Sequence, residues 1–336
     1  MLLSELTAST KRLALVGLAK NTGKTVALAA LLRELGAQGR RVGVTSVGRD
    51  GEERDVIDSR IAKPRIELAG ESLVATTDQL LRASGLPYEL LEQTGLRTPL
   101  GRVLIARLRG PGAVEVAGPS AAADVRAVSD AMLACGAEQV LIDGAIDRRA
   151  ASSPDVADGL LMATGAVLDR DVEEVVRQTV EAVELVRLPL GEGNEEPLAL
   201  PPRLALTAEG EEVAALLDAH PDARFLRVEG ALPDRFLRHL LHAAHRRRRE
   251  LVLVVADPTK VFLSKRGPGW FRAQGIDIRT RRTIALEAIT VNPVAPQSHS
   301  FDSAQLLALL REAIEDVPIL DVLAADYPAS AALSGS

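Results

Sequence analysis

The feature that most constrains this chain is the spacing G-x5-G-K-T between Gly17 and Thr25. An apolar run, RLALVG, leads up to Gly17 and predicts a buried strand. From Thr25 to Leu35 apolar side chains recur at helical spacing, which predicts a helix that ends at Gly36. A strand, a glycine-bounded loop and a helix in this order favour a parallel α/β sheet, because parallel strands need such a crossover connection.

The loop has the chemistry of a phosphate-binding loop. Backbone N–H groups of such a loop, and of the helix N-terminus that follows it, face phosphate oxygens. Lys24 would neutralise the β- and γ-phosphates, and the Thr25 hydroxyl would ligate Mg²⁺. The usual pattern is G-x-x-x-x-G-K-[ST], and its first glycine stands one position early here, at Gly17. The alternative is an ordinary strand-to-helix turn with a glycine cap. On the first interpretation the nucleotide-binding residues are Gly17, Asn21, Thr22, Gly23, Lys24, Thr25 and Val26.

Carboxylates that could hold the metal follow two other predicted strands. The run VLID places Asp143 at the carboxyl end of a strand, where ligands of open α/β sheets bind. Asp50 and Glu52 lie in the loop after the second strand, and Mg²⁺ is usually held by one or two carboxylates with phosphate oxygens and water. Arg148 follows Asp143 and could stabilise transferred charge. The alternatives are a turn-capping Asp143, solvated acids after the second strand, and an Arg148 paired with neighbouring acids. The predicted catalytic residues are Lys24, Asp143, Asp50 and Arg148, and the predicted metal ligands are Thr25, Asp143, Asp50 and Glu52.

Short apolar runs alternate with helical patterns along most of the chain. This alternation predicts an α/β fold with a mostly parallel sheet and helices on both faces, plus a second, smaller α/β region. The stretch PLGEGNEEP has glycine, proline and acids but no periodicity, so it is the best boundary. We therefore predict a nucleotide-binding domain over 1–190, a linker over 191–197, a second region with a possible partner-binding role over 198–330 and a frayed tail over 331–336. The second region could also be the continuation of one long sheet.

Charge and composition narrow the class of protein. The formal net charge of −6 argues against nucleic acid as the main partner. The single cysteine, Cys135, excludes an internal disulfide framework and fits a reducing compartment. The N-terminus lacks a signal-peptide pattern, and no apolar run approaches the roughly 20 residues that span a bilayer. We expect a cytoplasmic protein that binds neither nucleic acid nor membrane.

Several segments resemble known families. The glycine spacing of the loop, followed by VALAALL and GRRVGVTSVG, is similar to the dethiobiotin-synthetase branch of P-loop proteins. A second resemblance covers more of the chain, and it is to the KamB-type subunit of the lysine 5,6-aminomutase reactivating factor. It is carried by GLAKNTGKT, GVTSVGRDGE, VLIDGAIDRRAASSPDVADGLLMATGAVL and ITVNPVAP.

These resemblances imply a P-loop NTPase fold with ATP and Mg²⁺ as cofactors. The second one implies that the protein acts with a MutS-like ATPase subunit to replace damaged cobalamin in lysine 5,6-aminomutase, at the expense of ATP. The resemblance to P-loop proteins also leaves a homodimer open, because homodimerisation is common where such proteins share sites. Two other classes of function stay open. One is a ligase or kinase that resembles dethiobiotin synthetase and acts on a small carboxylate, and the other is a regulatory nucleotide-binding module.

Overall fold

The structure, a computed structural model, describes residues 1–48, 65–144, 152–191, 197–246, 250–296 and 298–328. It divides the chain into two compact units, of which unit 1 comprises Met1–Val176 with Ala285–Ser336 and unit 2 comprises Arg177–Ile284. This division differs from the one read from the sequence. The last part of the chain pairs with strands of unit 1 instead of completing the second region.

The described residues contain seventeen strands. In chain order they are β1 (Arg12–Gly17), β2 (Val42–Ser46), β3 (Ile66–Leu68), β4 (Leu73–Thr77), β5 (Tyr88–Thr98), β6 (Gly101–Leu108), β7 (Gly112–Val114), β8 (Gln139–Asp143), β9 (Gly159–Gly165), β10 (Leu198–Ala199), β11 (Phe225–Arg227), β12 (Leu232–Pro233), β13 (Leu251–Val255), β14 (Val261–Phe262), β15 (Ile276–Thr280), β16 (Ala285–Asn292) and β17 (Ile319–Leu320).

The same residues contain ten α-helices. They are α1 (Leu3–Leu6), α2 (Lys24–Ala37), α3 (Asp78–Ala83), α4 (Ala122–Ala134), α5 (Val172–Val186), α6 (Leu204–Thr207), α7 (Gly210–Ala219), α8 (Asp234–Arg246), α9 (Pro268–Ala273) and α10 (Ser303–Ala313). None of the helices in the described ranges combines the length and the apolar character that crossing a membrane requires.

Unit 1 is built on a large sheet whose described strands run in the order β17-β16-β9-β1-β8-β2-β4-β6-β5. Neighbours from β17 to β4 pair in parallel. The strands β6 and β5 are added by antiparallel pairing. Because β1 lies between β8 and β9, the carboxyl ends of these three strands meet at one edge of the sheet. The predicted α/β fold with a mostly parallel sheet is confirmed.

Helices cover both faces of this sheet, as the packing around β2 shows. Side chains alternate between the two faces along a strand. Val42 and Val44 belong to the same buried cluster as Leu31 of α2. A Cβ on the intervening Gly43 would lie 2.9 Å from the Met132 side chain of α4. The glycine therefore lets α4 approach the face opposite to α2.

Unit 2 has a parallel sheet and a core of its own. Its described strands β10, β11, β13 and β15 pair in that order. The side chains of Phe236, Leu237 and Leu240 on α8 pack with Leu253 of β13, and all four are fully buried. Unit 2 is thus the second, smaller α/β region.

Candidate nucleotide-binding site

The loop after β1 is held by its own backbone and by β9. Leu18 donates its N–H to the Ala163 carbonyl at 2.9 Å. The buried Thr22 hydroxyl donates to the Ala19 carbonyl at 3.0 Å. A Cβ on Gly17 would collide with this hydroxyl oxygen, which explains the glycine at the end of the strand.

Two residues with left-handed backbone turn the loop into α2. Asn21 has a φ of 68° and Gly23 has a φ of 88°. Gly23 is the N-cap of the helix, and no side chain in the described part of the chain caps it. The hydrogen bond from the Ala27 N–H to the Gly23 carbonyl is 2.9 Å long, so the N–H groups of Lys24, Thr25 and Val26 precede it. Uncapped N–H groups at a helix N-terminus favour an anion.

The side chain of Lys24, the first residue of α2, is directed toward the carboxylate that the sequence predicted. Lys24 Nζ donates to the Asp143 carboxylate and, at 2.6 Å, to the Gly144 carbonyl. Asp143 ends β8, and the register of the sheet pairs it with Leu15 of β1. The exposed fractions of the Lys24 and Asp143 side chains are 19% and 30%, so solvent reaches both. Two distant residues that the sequence singled out therefore share one edge of the sheet.

Of the other residues predicted for the site, some lie in the described part of the chain and some do not. Thr25 and Val26 lie exposed in the first turn of α2, whereas the Thr22 side chain is buried and can offer a ligand only its backbone. The remaining predicted residues, Asp50, Glu52 and Arg148, lie outside the described residues. Among the residues that are described, no group of three or more His, Cys, Asp or Glu side chains could hold a metal. The catalytic and metal-binding roles remain predictions.

Asn292 is a contact of the loop that sequence reasoning missed. It ends β16, and its Nδ2 donates to the Asn21 carbonyl at 3.1 Å. The two residues are 271 positions apart, so no local pattern connects them. The available signal was a polar residue at the carboxyl end of the apolar run in ITVNPVAP.

The residues present fit a nucleoside triphosphate with Mg²⁺. Gly17 and Gly23 leave room where a Cβ would meet neighbouring atoms. The N–H groups at the start of α2 and Lys24 Nζ are donors suited to phosphate oxygens. The Thr25 hydroxyl and the Asp143 carboxylate are oxygen ligands of the kind that Mg²⁺ accepts. The donor set therefore agrees with the chemistry that the loop predicts.

Comparison with known proteins finds similarity to solved structures alone. No family model matches the chain, and no curated protein matches it. Among solved structures it is similar to pNOB8 ParA bound to nonspecific DNA, with 13% identity over 79% of this chain and 93% of that one, at a TM-score of 0.27. It is also similar to the structure of pNOB8 ParA, with 14% identity over 81% and 87% of the chains, at a TM-score of 0.27.

The predicted partners need a correction. One of these neighbours is described as bound to nonspecific DNA, and this finding overturns the prediction that excluded nucleic acid. The exclusion relied on the net charge of −6. That average hides an uneven distribution, because Arg177–Ile284 carries 18 Lys and Arg against 15 Asp and Glu, a net charge of +3. A whole-chain charge thus cannot exclude a nucleic-acid partner. The other partners of that prediction, the aminomutase, a MutS-like subunit and a second copy of the chain, find no support in either comparison.

Proposed function

We propose that this protein binds ATP with Mg²⁺ and hydrolyses it, as a P-loop ATPase. The observation that carries the proposal is the position of Lys24. Its ammonium group lies between the Asp143 carboxylate and the Gly144 carbonyl, directly after a glycine-rich turn and at the uncapped start of α2. A lysine and the N–H groups of a helix N-terminus, placed together at the carboxyl edge of a parallel sheet, are suited to bind a polyphosphate.

Each residue contributes a separate part of the chemistry. An ammonium group has three N–H donors, and Lys24 uses two of them on Asp143 and Gly144. The third can reach a phosphate, and a full move of Lys24 to phosphate would release the Asp143 carboxylate toward the metal. The Thr25 hydroxyl lies one residue further along the helix, where it would serve the metal as a second oxygen ligand. Mg²⁺, when bound, neutralises phosphate charge and so eases phosphoryl transfer.

The first test replaces Lys24. We expect Lys24→Ala to weaken Mg·ATP binding by about 10- to 100-fold, because a hydrogen bond to a charged group contributes about 1.5–3 kcal/mol. Phosphate release should fall with it. Isothermal titration with a non-hydrolysable ATP analogue and a phosphate-release assay measure the two effects. Lys11→Ala is the matched control, since Lys11 is an exposed lysine just before β1. Absence of nucleotide binding by the unmodified protein would refute the proposal.

For the work that hydrolysis performs, we propose reactivation of a cobalamin-dependent lysine 5,6-aminomutase by exchange of damaged cofactor. The support is the resemblance of four segments to the KamB-type subunit. In the fold, those segments contribute the ends of β1, β2, β8, β9 and β16, which are neighbouring parallel strands. ATP hydrolysis can drive such an exchange when it is coupled to a change of loop conformation that loosens the damaged cofactor.

The reactivation role has its own test. Oxygen-inactivated lysine 5,6-aminomutase is incubated with this protein, Mg·ATP and fresh adenosylcobalamin, with and without the MutS-like subunit that the resemblance implies, and recovered aminomutase activity is measured. We expect recovery that requires ATP and is lost with Lys24→Ala. Hydrolysis that proceeds without any recovery would remove the reactivation role and leave the ATPase intact. Hydrolysis stimulated by a small carboxylate, with transfer of phosphate to it, would instead identify a ligase or kinase.

A further inference from the structure

Asn292 makes a polar contact that the proposed chemistry does not use. Its side chain is partly buried at the carboxyl end of β16. Nδ2 donates to the Asn21 carbonyl at 3.1 Å, and Oδ1 accepts the Val294 N–H at 3.1 Å. The second bond fixes which end of the amide is which, because only an oxygen can accept from a backbone N–H. The donor of Asn292 must therefore face the loop.

Asn292 contacts the part of the loop where the backbone adopts the left-handed conformation. Asn21 and Gly23 are its two left-handed residues. A non-glycine residue in this conformation costs about 1 kcal/mol, and asparagine tolerates it better than most. The Cβ of Asn292 also lies 3.0 Å from the position that a Cβ on Gly23 would take. One side chain thus bonds the loop at Asn21 and occupies the space beside Gly23.

The end of β16 is placed for this role by close backbone packing. It pairs in parallel with β9, and Asn292 is opposite Gly165. A Cβ on Gly165 would collide with the Asn292 carbonyl oxygen, so glycine allows the two strand ends to approach. The start of the loop is held by β9 through Leu18, and its middle is held by β16 through Asn292. Two neighbouring strands therefore fix the loop at separate points.

We propose that Asn292 is a positioning residue that holds the loop between β1 and α2 in its phosphate-binding conformation. The inference rests on the proposed nucleotide binding at that loop. Asn292 acts through the Asn21 carbonyl and needs no contact with the nucleotide. By stabilising the left-handed turn, Asn292 keeps the N–H groups at the start of α2 directed to one point. Nucleotide binding then requires less ordering of the loop, which lowers its free-energy cost.

The test compares two substitutions at Asn292 with a neighbouring control. Asn292→Ala should weaken binding of a non-hydrolysable Mg·ATP analogue by about 3- to 10-fold, because the neutral hydrogen bond to the Asn21 carbonyl is lost together with the one from the Val294 N–H. Asn292→Asp should weaken it further, since a carboxylate cannot donate to the Asn21 carbonyl and repels phosphate. Val294→Ala is the control, because its side chain is 52% exposed and its backbone N–H is retained. Thermal unfolding of all three variants separates a loop effect from loss of folding.

A second variant shows whether the loop conformation is the cause. Asn21→Gly lowers the cost of the left-handed backbone. Added to Asn292→Ala, it should restore binding at least twofold, which a merely structural role of Asn292 would not produce. Without nucleotide, amide hydrogens of residues 18–23 should exchange faster in Asn292→Ala.

The outcomes separate this inference from the proposed function. An unmodified protein that binds no nucleotide would refute the ATPase and, with it, the inference. Normal binding by Asn292→Ala in a protein that does bind nucleotide would overturn the inference alone. Weaker binding with unchanged amide exchange in the loop and no rescue by Asn21→Gly would overturn it too, because Asn292 would then act by another route.

Discussion

At the scale of single residues, Gly17 shows how a missing side chain shapes the loop. An alanine Cβ at this position would collide with the Thr22 hydroxyl. That hydroxyl is buried and bonded to Ala19, so it cannot move without losing its partner. We expect Gly17→Ala to lower the free energy of unfolding by about 1–3 kcal/mol, as overpacking does, and to weaken nucleotide binding. Urea unfolding and calorimetric titration measure the two effects.

Gly36 provides the matched control within the adjoining helix. It lies in α2, where the nearest atom to a new Cβ would be the Ala69 side chain at an ordinary 3.6 Å. Gly36→Ala should stabilise the protein by about 0.5–1 kcal/mol, because alanine loses less conformational freedom in a helix. Nucleotide affinity should not change. Equal losses at both glycines would contradict the proposed steric role of Gly17.

Part of the site is visible in the sequence at this scale. The spacing of Gly17, Gly23 and Lys24 is local, and Asp143 stands at the end of an apolar run, so each follows from periodicity and loop chemistry. The structure places Lys24 and Asp143 in contact. Asn292 could not be found in this way. Its contact with the loop depends on the order of strands in the sheet, which no local pattern encodes.

At the scale of secondary-structure elements, a buried polar cluster joins α1, α2 and the C-terminal segment. The Glu34 carboxylate of α2 accepts the Ser4 N–H at 2.8 Å and the hydroxyl of Tyr327. The Leu3 N–H donates to the same hydroxyl at 3.1 Å. Glu34 and Tyr327 are each only 5% exposed. A buried carboxylate is stabilised by such donors, so removal of one is costly.

Tyr327→Phe tests this cluster. The loss of a donor to a buried carboxylate should lower the free energy of unfolding by about 1–3 kcal/mol. Burial and the bond to Glu34 raise the pKa of Tyr327 above its ordinary value. Above about pH 10 an unfolded tyrosine releases its proton while the folded one keeps it, so stability falls as the pH rises. Urea unfolding between pH 8 and 11 should show a shallower fall for Tyr327→Phe. An unchanged slope would exclude Tyr327 as a source of the pH dependence.

Strands and helices with a clear apolar periodicity could be predicted from the sequence, whereas strands of two or three residues could not. The run RLALVG and the helix after Lys24 lie where periodicity places them, as β1 and α2. The strands β3 and β14 contain three and two residues, too few to establish a period of two. The strand β5 could not be predicted from the sequence, for a different reason. Its eleven residues are exposed or half-buried at the edge of the sheet, so charged side chains interrupt its alternation.

At the scale of the whole molecule, the fold class could be predicted but the division into units could not. Alternation of strands and helices continues across both units, so it indicates α/β structure without saying which sheet a strand joins. The Gly- and Pro-rich stretch near residue 191 suggested a boundary, but the units divide after Val176. Ala285–Asn292 then returns to β9 in unit 1. Such a return depends on pairing between residues more than 100 positions apart, such as Ile289 with Met162.

Separate cores lead to a prediction for the molecule as a whole. Leu237 is fully buried in the core of unit 2, and Leu31 is fully buried in the core of unit 1. Replacement of either by alanine should lower the free energy of unfolding of its own unit by about 2–5 kcal/mol. The residues of the candidate site all belong to unit 1, so Leu237→Ala should leave nucleotide affinity unchanged.

Leu31→Ala should weaken nucleotide binding, because Leu31 anchors the helix that follows the loop. Mg·ATP at 100 times its Kd should add about 2.7 kcal/mol to the unit that binds it, since only the folded state has the site. Urea unfolding with and without nucleotide, followed for both variants, measures these effects. Nucleotide should therefore protect unit 1 in Leu237→Ala as strongly as in the unmodified protein. If Leu237→Ala weakened nucleotide binding as much as Leu31→Ala, binding at the loop would depend on the core of unit 2, and the two units could not act separately.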